Sequence, residues 1–222
     1  MKSGRPVRAC LFDLDGTLAD TAPDLAAALN RVRADHGLPP MPLDALRPMA
    51  SHGARGLLGV GMQVAPGDAR YNQLKDDFLA YYLEAIRVET DLFDGVFALL
   101  EQLHERALPW GIVTNKLSTY TQPLVAQLPW PAPPGCIVSG DTAAKPKPAP
   151  DPLLHAAAAL NVEPADCVYV GDDLRDIQSA QAAGMRSIAA AYGYCGPSSP
   201  NDWGADAIIH HPLDFLTLDF IS

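Results

Sequence analysis

Residues 7–18 read VRACLFDLDGTL, and this stretch places an apolar run directly before two closely spaced acids. The run has the length and composition of a buried strand. Asp13 and Asp15, two positions apart in an extended chain, point to the same side. Like charges that close to one another require a cation or a proton between them. Gly16 allows a sharp turn after the acids, and Thr17 can brace that turn with its hydroxyl.

Further apolar runs follow along the chain, and helical patterns lie between several of them. Such alternation predicts an α/β fold with a mostly parallel, Rossmann-like sheet, which binds ligands beyond the carboxyl ends of its strands. The acids at positions 13 and 15 would stand at such an end. The runs lie at residues 110–114, 136–139, 167–170, 187–191 and 207–209, and the helical patterns at residues 96–105, 152–160 and 177–183.

The stretch from residue 20 to residue 90 interrupts this alternation and contains no convincing strand. Residues 20–35 predict a helix because alanine, the strongest helix former, recurs throughout. Residues 71–88 predict another because apolar side chains recur at helical spacing. We therefore expect residues 1–19 and 91–222 to form the core domain, and residues 20–90 to form an inserted α-helical cap domain above the strand ends.

The charge and composition of the chain limit its partners. Its 222 residues carry a formal net charge of −10, and no basic run offsets it. Nucleic acid and anionic membrane surfaces are therefore unexpected partners. No apolar run reaches the roughly 18 residues of a membrane span, and the basic start lacks the long apolar stretch of a secretory signal. We expect a cytoplasmic protein. Because its overall negative charge would repel an anionic substrate such as a phosphate, any site for one must take its positive charge from nearby groups.

A second acidic segment, GDDLRD at residues 171–176, follows another apolar run. Asp172 stands at the predicted strand end, Asp173 comes next, and Asp176 lies one turn into the following helix. Three acids in this space exceed what helix capping requires. Clustered carboxylates suit Mg²⁺, a hard cation that binds carboxylates, water and substrate phosphate. The segment therefore favours a magnesium site.

Two other strand ends offer hydrogen-bond donors and a lysine. Thr114 and Asn115, in VTNK, could donate hydrogen bonds to phosphoryl oxygens, although a capped turn before a helix explains them equally well. Lys145, in the proline-stiffened stretch AKPKP, could place an ammonium beside a phosphate. Lys147 is the competing candidate, and a solvated basic loop is the alternative. Together with the acids, these groups indicate phosphoryl transfer.

The four segments resemble, in order, the four motifs of the haloacid dehalogenase superfamily of phosphohydrolases. The resemblance covers essentially the whole chain and implies a Mg²⁺-dependent phosphatase acting on a small phosphorylated metabolite. It implies that Asp13 is the nucleophile and a metal ligand, and that Lys145 steadies the nucleophile and the phosphate. It implies that Asp15 protonates the leaving oxygen, then activates water, and offers its backbone carbonyl to the metal.

The same resemblance implies roles for the later motifs. Thr114 and Asn115 would hold the phosphoryl group. Asp172 would ligate Mg²⁺ directly. Asp173 and Asp176 would support the metal ligands from behind, and the division of labour between these two stays open.

Within the superfamily, the chain is similar to the phosphoglycolate phosphatase group and to bacterial N-acetylmuramic acid 6-phosphate phosphatases. Both kinds of substrate are phosphate monoesters that carry a carboxylate, and the resemblance leaves the choice between them open. The segments behind this similarity are GLPP at residues 37–40, SHGAR at 51–55, GDDLRDI at 171–177, YGY at 192–194 and PNDWGAD at 200–206.

The SHGAR segment of the predicted cap carries its own hypothesis. A glycine-flanked turn with His52 and Arg55 could reach down to the substrate's carboxylate, for which arginine is well suited. The alternative is that Arg55 is a charge on a helix surface. Both residues are therefore candidate substrate-binding residues.

Two rival functions use the same scaffold. A sugar phosphomutase would need a cap that holds a bisphosphorylated intermediate and shields Asp13 from water. A non-catalytic binding protein would be expected to have damaged motifs, whereas every expected acid is present. Whether the protein is a monomer or a homodimer stays open.

Overall fold

The computed structural model describes residues 5–196 and 198–221, so the outermost predicted core boundaries, residues 1 and 222, lie outside the described residues. Its strands are β1 (Ala9–Phe12), β2 (Ala19–Asp20), β3 (Asp91–Leu92), β4 (Trp110–Val113), β5 (Cys136–Val138), β6 (Cys167–Gly171), β7 (Arg186–Ala190) and β8 (Ala207–Ile209). Six of them form one parallel sheet in the order β5-β4-β1-β6-β7-β8. Each predicted apolar run overlaps one of these strands, and the predicted fold class is confirmed.

Helices connect the strands and build the inserted segment. They are α1 (Ala22–Asp35), α2 (Leu43–Leu46), α3 (Gly53–Met62), α4 (Tyr71–Glu84), α5 (Val96–Glu105), α6 (Ser118–Val125), α7 (Asp151–Ala159) and α8 (Leu174–Ala182). A 3₁₀ segment, Arg47–His52, leads directly into α3. Within the described residues, no helix has both the length and the apolar character needed to cross a membrane.

Strand β1 lies near the middle of the sheet, between β4 and β6. All residues of these three strands are buried. Helices cover both faces of a parallel sheet, so its strands read as continuous apolar runs rather than as alternating ones. Asp13, Thr114 and Asp172 directly follow the ends of β1, β4 and β6. The order of the strands therefore brings three separate motifs to one edge.

The segment predicted to be inserted, residues 20–90 and called the insert below, begins in β2 and ends directly before β3, and these two strands form a small sheet of their own. Strands β2 and β3 pair antiparallel, with Ala19 opposite Leu92 and Asp20 opposite Asp91. The chain between them forms α1 to α4, and no strand occurs in residues 21–90, all of which the structure describes. The two chain segments that connect the insert to the rest of the protein, β2 and β3, therefore lie side by side.

Helix α3 was not predicted from the sequence, which reads GARGLLGVGM over this helix. Glycine has low helix propensity, so four glycines within ten residues conceal the helical signal. The structure explains the last of them, since a Cβ on Gly61 would overlap the side chain of Leu29 on α1. The small residue allows α3 to pack closely against α1.

Candidate active site

A cleft of about 420 Å³ lies between the carboxyl edge of the sheet and the insert. Its two sides differ in chemistry. The core side, called the core wall, carries most of the charged and polar residues, among them Asp13, Asp15, Thr114, Lys116, Lys147 and Arg175, beside the apolar Leu117, Tyr120 and Pro146. The insert side, called the insert wall, is mostly apolar and includes Leu25, Ala50, His52, Phe78, Leu79 and Tyr82.

Lys147 holds the carboxylate of Asp13 from behind. Its Nζ lies 2.9 Å from Asp13 Oδ1 and 2.7 Å from Asp176 Oδ1. The same ammonium donates to the carbonyl of Val113 at 3.0 Å and to the hydroxyl of Tyr169 at 2.8 Å. Burial disfavours the charged ammonium, but Asp13 and Asp176 outweigh burial and raise the pKa of Lys147. The lysine is therefore a fixed, buried cation.

The structure places Lys147, and not the preferred candidate Lys145, beside Asp13. The side chain of Lys145 is exposed, whereas Lys147 is buried. Asn115 causes the difference, since its Nδ2 donates to the carbonyl of Lys147 at 3.0 Å and its Oδ1 accepts from the Lys147 N–H at 2.9 Å. These bonds turn residue 147 inward. They also engage the side chain of Asn115, which the sequence analysis assigned to the phosphoryl group.

Three buried carboxylates form the centre of the site. One oxygen from each of Asp13, Asp172 and Asp176 lies within 4.8 Å of the others. Burial raises the pKa of Asp13 to about 7, with Lys147 opposing the rise. Burial, reinforced by the charges of Asp13 and Asp176, raises the pKa of Asp172 well above its usual range. Crowded oxygen ligands with excess negative charge fit a hard divalent cation such as Mg²⁺.

Asp172 is held by neutral donors. It accepts hydrogen bonds from Thr17 Oγ1 at 2.9 Å, the Tyr194 N–H at 3.0 Å and Ser51 Oγ at 3.1 Å. No residue that the structure describes forms an ion pair with it. Gly16 makes room for this carboxylate, because its φ is +86° and a Cβ there would overlap Asp172. The orientation of Asp172 is thus fixed without a cationic partner among the described residues.

Asp15 lies outside this cluster. Its Oδ1 lies 2.7 Å from Lys116 Nζ and accepts a hydrogen bond from Thr21 Oγ1 at 2.6 Å. Burial opposes the charge of Lys116, but Asp15 and Tyr82 outweigh burial and raise the pKa of Lys116. The ammonium lies 4.7 Å from the centre of the Tyr82 ring on α4. Lys116 directly follows the Thr114-Asn115 pair, and nothing in its sequence context indicated this role.

Asp173 and Asp176 perform different tasks at the start of α8. Asp173 caps the helix by accepting from the Arg175 N–H at 2.9 Å, and Asp176 accepts from the Asp173 N–H at 3.1 Å. Burial opposes the ionised form of Asp173, but its hydrogen bonds with Arg175 outweigh burial and lower the pKa of Asp173. Asp176 lies inside the carboxylate cluster, whereas Asp173 lies outside it.

Arg175 is a further residue of the site, and it was not among the candidates predicted from the sequence. Its Nε and Nη2 donate to the two oxygens of Asp173 at 2.8 and 2.9 Å, and Nη2 also donates to the carbonyl of Ser51 at 2.8 Å. The guanidinium therefore joins α8 of the core to the insert. The available signal was an arginine among the acids of GDDLRD, directly before a predicted helix.

The two candidate residues of the insert separate in the structure. His52 lines the cleft, and its buried Nδ1 has no hydrogen-bond partner among the described residues. Burial, with the nearby charge of Arg175, lowers the pKa of His52, so that its neutral form is favoured. Arg55 is exposed and does not line the cleft, because it lies on the outward side of the first turn of α3. Its placement fits the alternative of a helix-surface charge.

Tyr194, from the quoted YGY segment, connects Asp172 to the start of the insert. Its N–H donates to Asp172, while its hydroxyl accepts from the N–H groups of Thr21 and Ala22 at 2.7 and 2.9 Å. The same hydroxyl donates to Asp20 Oδ1 at 3.0 Å. Helix α1 has no cap from its own Thr21 side chain, so this tyrosine satisfies amides that the helix leaves open.

The site combines a buried lysine with clustered carboxylates at the edge of a parallel sheet, beneath a helical insert. This arrangement suits hydrolysis of a phosphate ester. Comparison with known families agrees with this class. Residues 10–190 match the family described as haloacid dehalogenase-like hydrolase. The chain belongs to that family, and the resemblance stated from its motifs is confirmed.

The relatives narrow the class to phosphatases. The chain is 44% identical over 206 residues to a phosphoglycolate phosphatase of Xanthomonas campestris pv. campestris, covering 92% of this chain and 93% of the relative. It is 39% identical over 209 residues to an N-acetylmuramic acid 6-phosphate phosphatase of Pseudomonas putida, covering 94% of each. The crystal structure of a predicted phosphoglycolate phosphatase from Haemophilus somnus superposes with a TM-score of 0.82 at 25% identity, covering 95% of this chain and 97% of that one.

These comparisons confirm that the protein is an enzyme and that it is a phosphatase. The relatives include phosphoglycolate phosphatases and N-acetylmuramic acid 6-phosphate phosphatases, the two groups that the sequence resembles. Relatives of similar identity carry two different substrate names, and therefore the names alone do not choose between the substrates.

Proposed function

We propose that the protein hydrolyses a small phosphate monoester, with Mg²⁺ bound, through an aspartyl-phosphate on Asp13. The observation that carries this proposal is the surroundings of Asp13. Its carboxylate faces the cleft, lies 2.9 Å from the buried ammonium of Lys147, and belongs to a cluster with Asp172 and Asp176. Nucleophile, fixed cation and ligand oxygens thus meet at one point.

In the first step, a carboxylate oxygen of Asp13 forms a bond to phosphorus while the bond from phosphorus to the leaving oxygen breaks. Asp15 gives its proton to that oxygen, so that the product leaves as an alcohol. The ammonium of Lys147 and the hydroxyl of Thr114 offset the charge on the phosphoryl oxygens. A positioned proton donor contributes about 10²- to 10⁴-fold to such a step.

In the second step, water attacks the phosphorus and the bond to Asp13 breaks. Asp15, now ionised, takes the proton of the water, and inorganic phosphate leaves with Asp13 restored. Asp15 suits both steps because it lines the cleft beside Asp13 but does not belong to the carboxylate cluster.

The residues fit Mg²⁺ by the chemistry of their donors. Asp13, Asp172 and the backbone carbonyl of Asp15 would hold the ion, and Asp176 would support them. When bound, Mg²⁺ supplies positive charge that offsets the developing charge of the phosphoryl group.

The size of the cleft supports a leaving group larger than glycolate, and we propose a substrate of the N-acetylmuramic acid 6-phosphate type. A volume of about 420 Å³ lies in the range of pockets that enclose molecules much larger than a two-carbon acid. The insert wall offers apolar and aromatic groups for the face of a sugar ring. The unpartnered Nδ1 of His52 offers a polar contact to a hydroxyl or amide of the ligand.

The experiment is a comparison of kcat/KM for N-acetylmuramic acid 6-phosphate, phosphoglycolate and p-nitrophenyl phosphate, each with Mg²⁺ and after chelation. We expect the first substrate to exceed phosphoglycolate by about 10²-fold, because the insert wall contacts only the larger group. The opposite preference would overturn the substrate assignment and leave the phosphatase standing. Folded protein that releases no phosphate from any of the three would overturn the proposed function.

The phosphomutase alternative predicts a different product. Incubation with a hexose 1-phosphate would then yield an isomerised sugar phosphate without free phosphate. We expect free phosphate or no reaction, since the insert wall carries no lysine or arginine to bind a second phosphate.

A further inference from the structure

Lys116 is a largely buried cation in the cleft, and the proposed mechanism gives it no task. It stands beyond the end of β4, and its side chain is 10% exposed. Its ammonium meets the carboxylate of Asp15 at 2.7 Å rather than pointing freely into the cleft. An ion pair between two such side chains is little screened by water, and therefore it fixes their relative position.

The carboxylate of Asp15 is held through one of its two oxygens. Lys116 Nζ and Thr21 Oγ1 both address Oδ1, at 2.7 and 2.6 Å. Oδ2 receives no hydrogen bond from any described residue. Two donors on one oxygen restrain rotation of the carboxylate and leave the other oxygen available for proton transfer in the cleft.

The insert supplies the contacts that hold this pair. Thr21 immediately precedes α1, and Tyr82 lies on α4, with its ring centre 4.7 Å from the ammonium of Lys116. An ammonium over an aromatic face is attracted by the ring. Burial raises the pKa of Tyr82 to about 12, so the phenol stays neutral and its ring remains a suitable partner. Asp15 of the core is thus oriented by groups that depend on the position of the insert.

We propose that Lys116, held against Tyr82, is a positioning residue that orients the Asp15 carboxylate for proton transfer through Oδ2. This inference rests on the proposed function, in which Asp15 is first acid and then base. It adds that the insert contributes to the chemical step as well as to the choice of substrate. The competing role for Lys116 is direct contact with an anionic group of the substrate.

The test combines Lys116→Met with Asp15→Asn in the full-length protein. If Lys116 acts through Asp15, Lys116→Met lowers kcat by about 10²-fold with little change in KM. A loss of this size lies within the contribution of a positioned acid or base. In the Asp15→Asn background the same substitution then causes less than about 3-fold further loss, because residues acting as a unit are not additive. Lys116→Arg should restore part of the loss.

A second readout uses p-nitrophenyl phosphate, whose leaving group needs little protonation. Lys116→Met should then release p-nitrophenol in a burst equal to the enzyme concentration, because formation of the phospho-enzyme stays fast while activation of water is slow. Tyr82→Leu should show the same burst with a smaller loss of kcat. Lys75→Met, which removes a lysine of α4 outside the cleft, is the matched control and should show neither effect.

A rise in KM with unchanged kcat, or a full multiplicative loss in the Asp15→Asn background, would overturn the inference in favour of substrate contact. Thermal melting of each variant separates these outcomes from loss of the fold. Tyr82→Leu keeps the question answerable if Lys116→Met does not fold. An inactive wild-type protein would instead refute the proposed function itself.

Discussion

The two walls of the cleft are built on different principles. On the core wall, Lys147 contacts four oxygens, and a hydrogen bond or ion pair holds each acid. On the insert wall, most residues are apolar, and His52 Nδ1 has no partner among the described residues. Groups that are fixed by several bonds suit chemistry on a constant phosphoryl group, whereas an apolar wall with an open polar atom suits the recognition of a variable one.

The comparison therefore assigns the chemical reaction to the core wall and the selection of the substrate to the insert wall. Substitutions on the core wall should reduce turnover of every phosphate monoester. Substitutions on the insert wall should reduce turnover of the preferred substrate more than that of a small, unspecific one. The pair formed by Lys116 and Tyr82 is the exception, since it crosses from one wall to the other.

The largest effect is expected for Asp13→Asn. An amide at this position cannot form the aspartyl-phosphate, so kcat should fall by about 10⁴-fold or more on all substrates, as for other essential nucleophiles. The measurement is phosphate release together with trapping of radiolabelled phospho-enzyme. Substantial turnover in Asp13→Asn would show that the core wall performs some other chemistry.

The next effect contrasts two neighbouring lysines. Lys147→Met removes a fixed charge from the phosphoryl site and should lower kcat by about 10²- to 10³-fold. It also leaves buried carboxylates unpaired, a change that typically destabilises by about 3–5 kcal/mol. Kinetics and urea unfolding measure the two losses. Lys145→Met is the matched control, and a loss of activity there as large as at position 147 would contradict the arrangement of the core wall.

A smaller and selective effect is expected on the insert wall. Phe78→Ala and His52→Ala should each lower kcat/KM for the preferred substrate by about 10-fold, because each removes one contact with the leaving group. The loss on p-nitrophenyl phosphate should be markedly smaller. Arg55→Ala, on the exposed side of α3, is the control. Equal relative losses on both substrates would remove the division between the walls.

The smallest effect on turnover is expected for Tyr194→Phe. The substitution removes the acceptor of the Thr21 and Ala22 N–H groups, and leaving buried donors unsatisfied costs about 1–3 kcal/mol. Urea unfolding should show this loss, while kcat stays within a few-fold because the Tyr194 N–H that holds Asp172 is retained. Unchanged stability would mean that the hydroxyl does not support α1.

Local sequence patterns predicted the strands behind the core wall, but only some of its side chains. Apolar runs identified β1, β4 and β6 because strands buried on both faces are mostly apolar. Parallel strands end at the same edge, so the acids after β1 and β6 could be expected to converge. The structure does bring Asp13 and Asp172 together.

Long-range contacts account for what the sequence did not reveal. Lys145 and Lys147 have nearly identical surroundings in AKPKP, and long-range contacts select the second lysine: the bonds from Asn115 to its backbone and those of its ammonium to Asp13 and Asp176. Helix α3 escaped prediction because four glycines lower its helical signal, and the contact that explains Gly61, with Leu29 on α1, is not visible in any local pattern. Lys116 gained its significance from Asp15 and Tyr82, neither of which is near it in sequence.

The contacts of Tyr194 also bear on how such proteins can be recombined. The hydroxyl of Tyr194 holds the first turn of α1. Its backbone N–H holds the carboxylate of Asp172 in the active site. In a chimaera that receives residues 20–90 from a different phosphatase, Tyr194 would meet the first turn of a helix with which it did not evolve. Grafts that carry position 194 together with the insert should therefore yield active hybrids more often than grafts of the insert by itself.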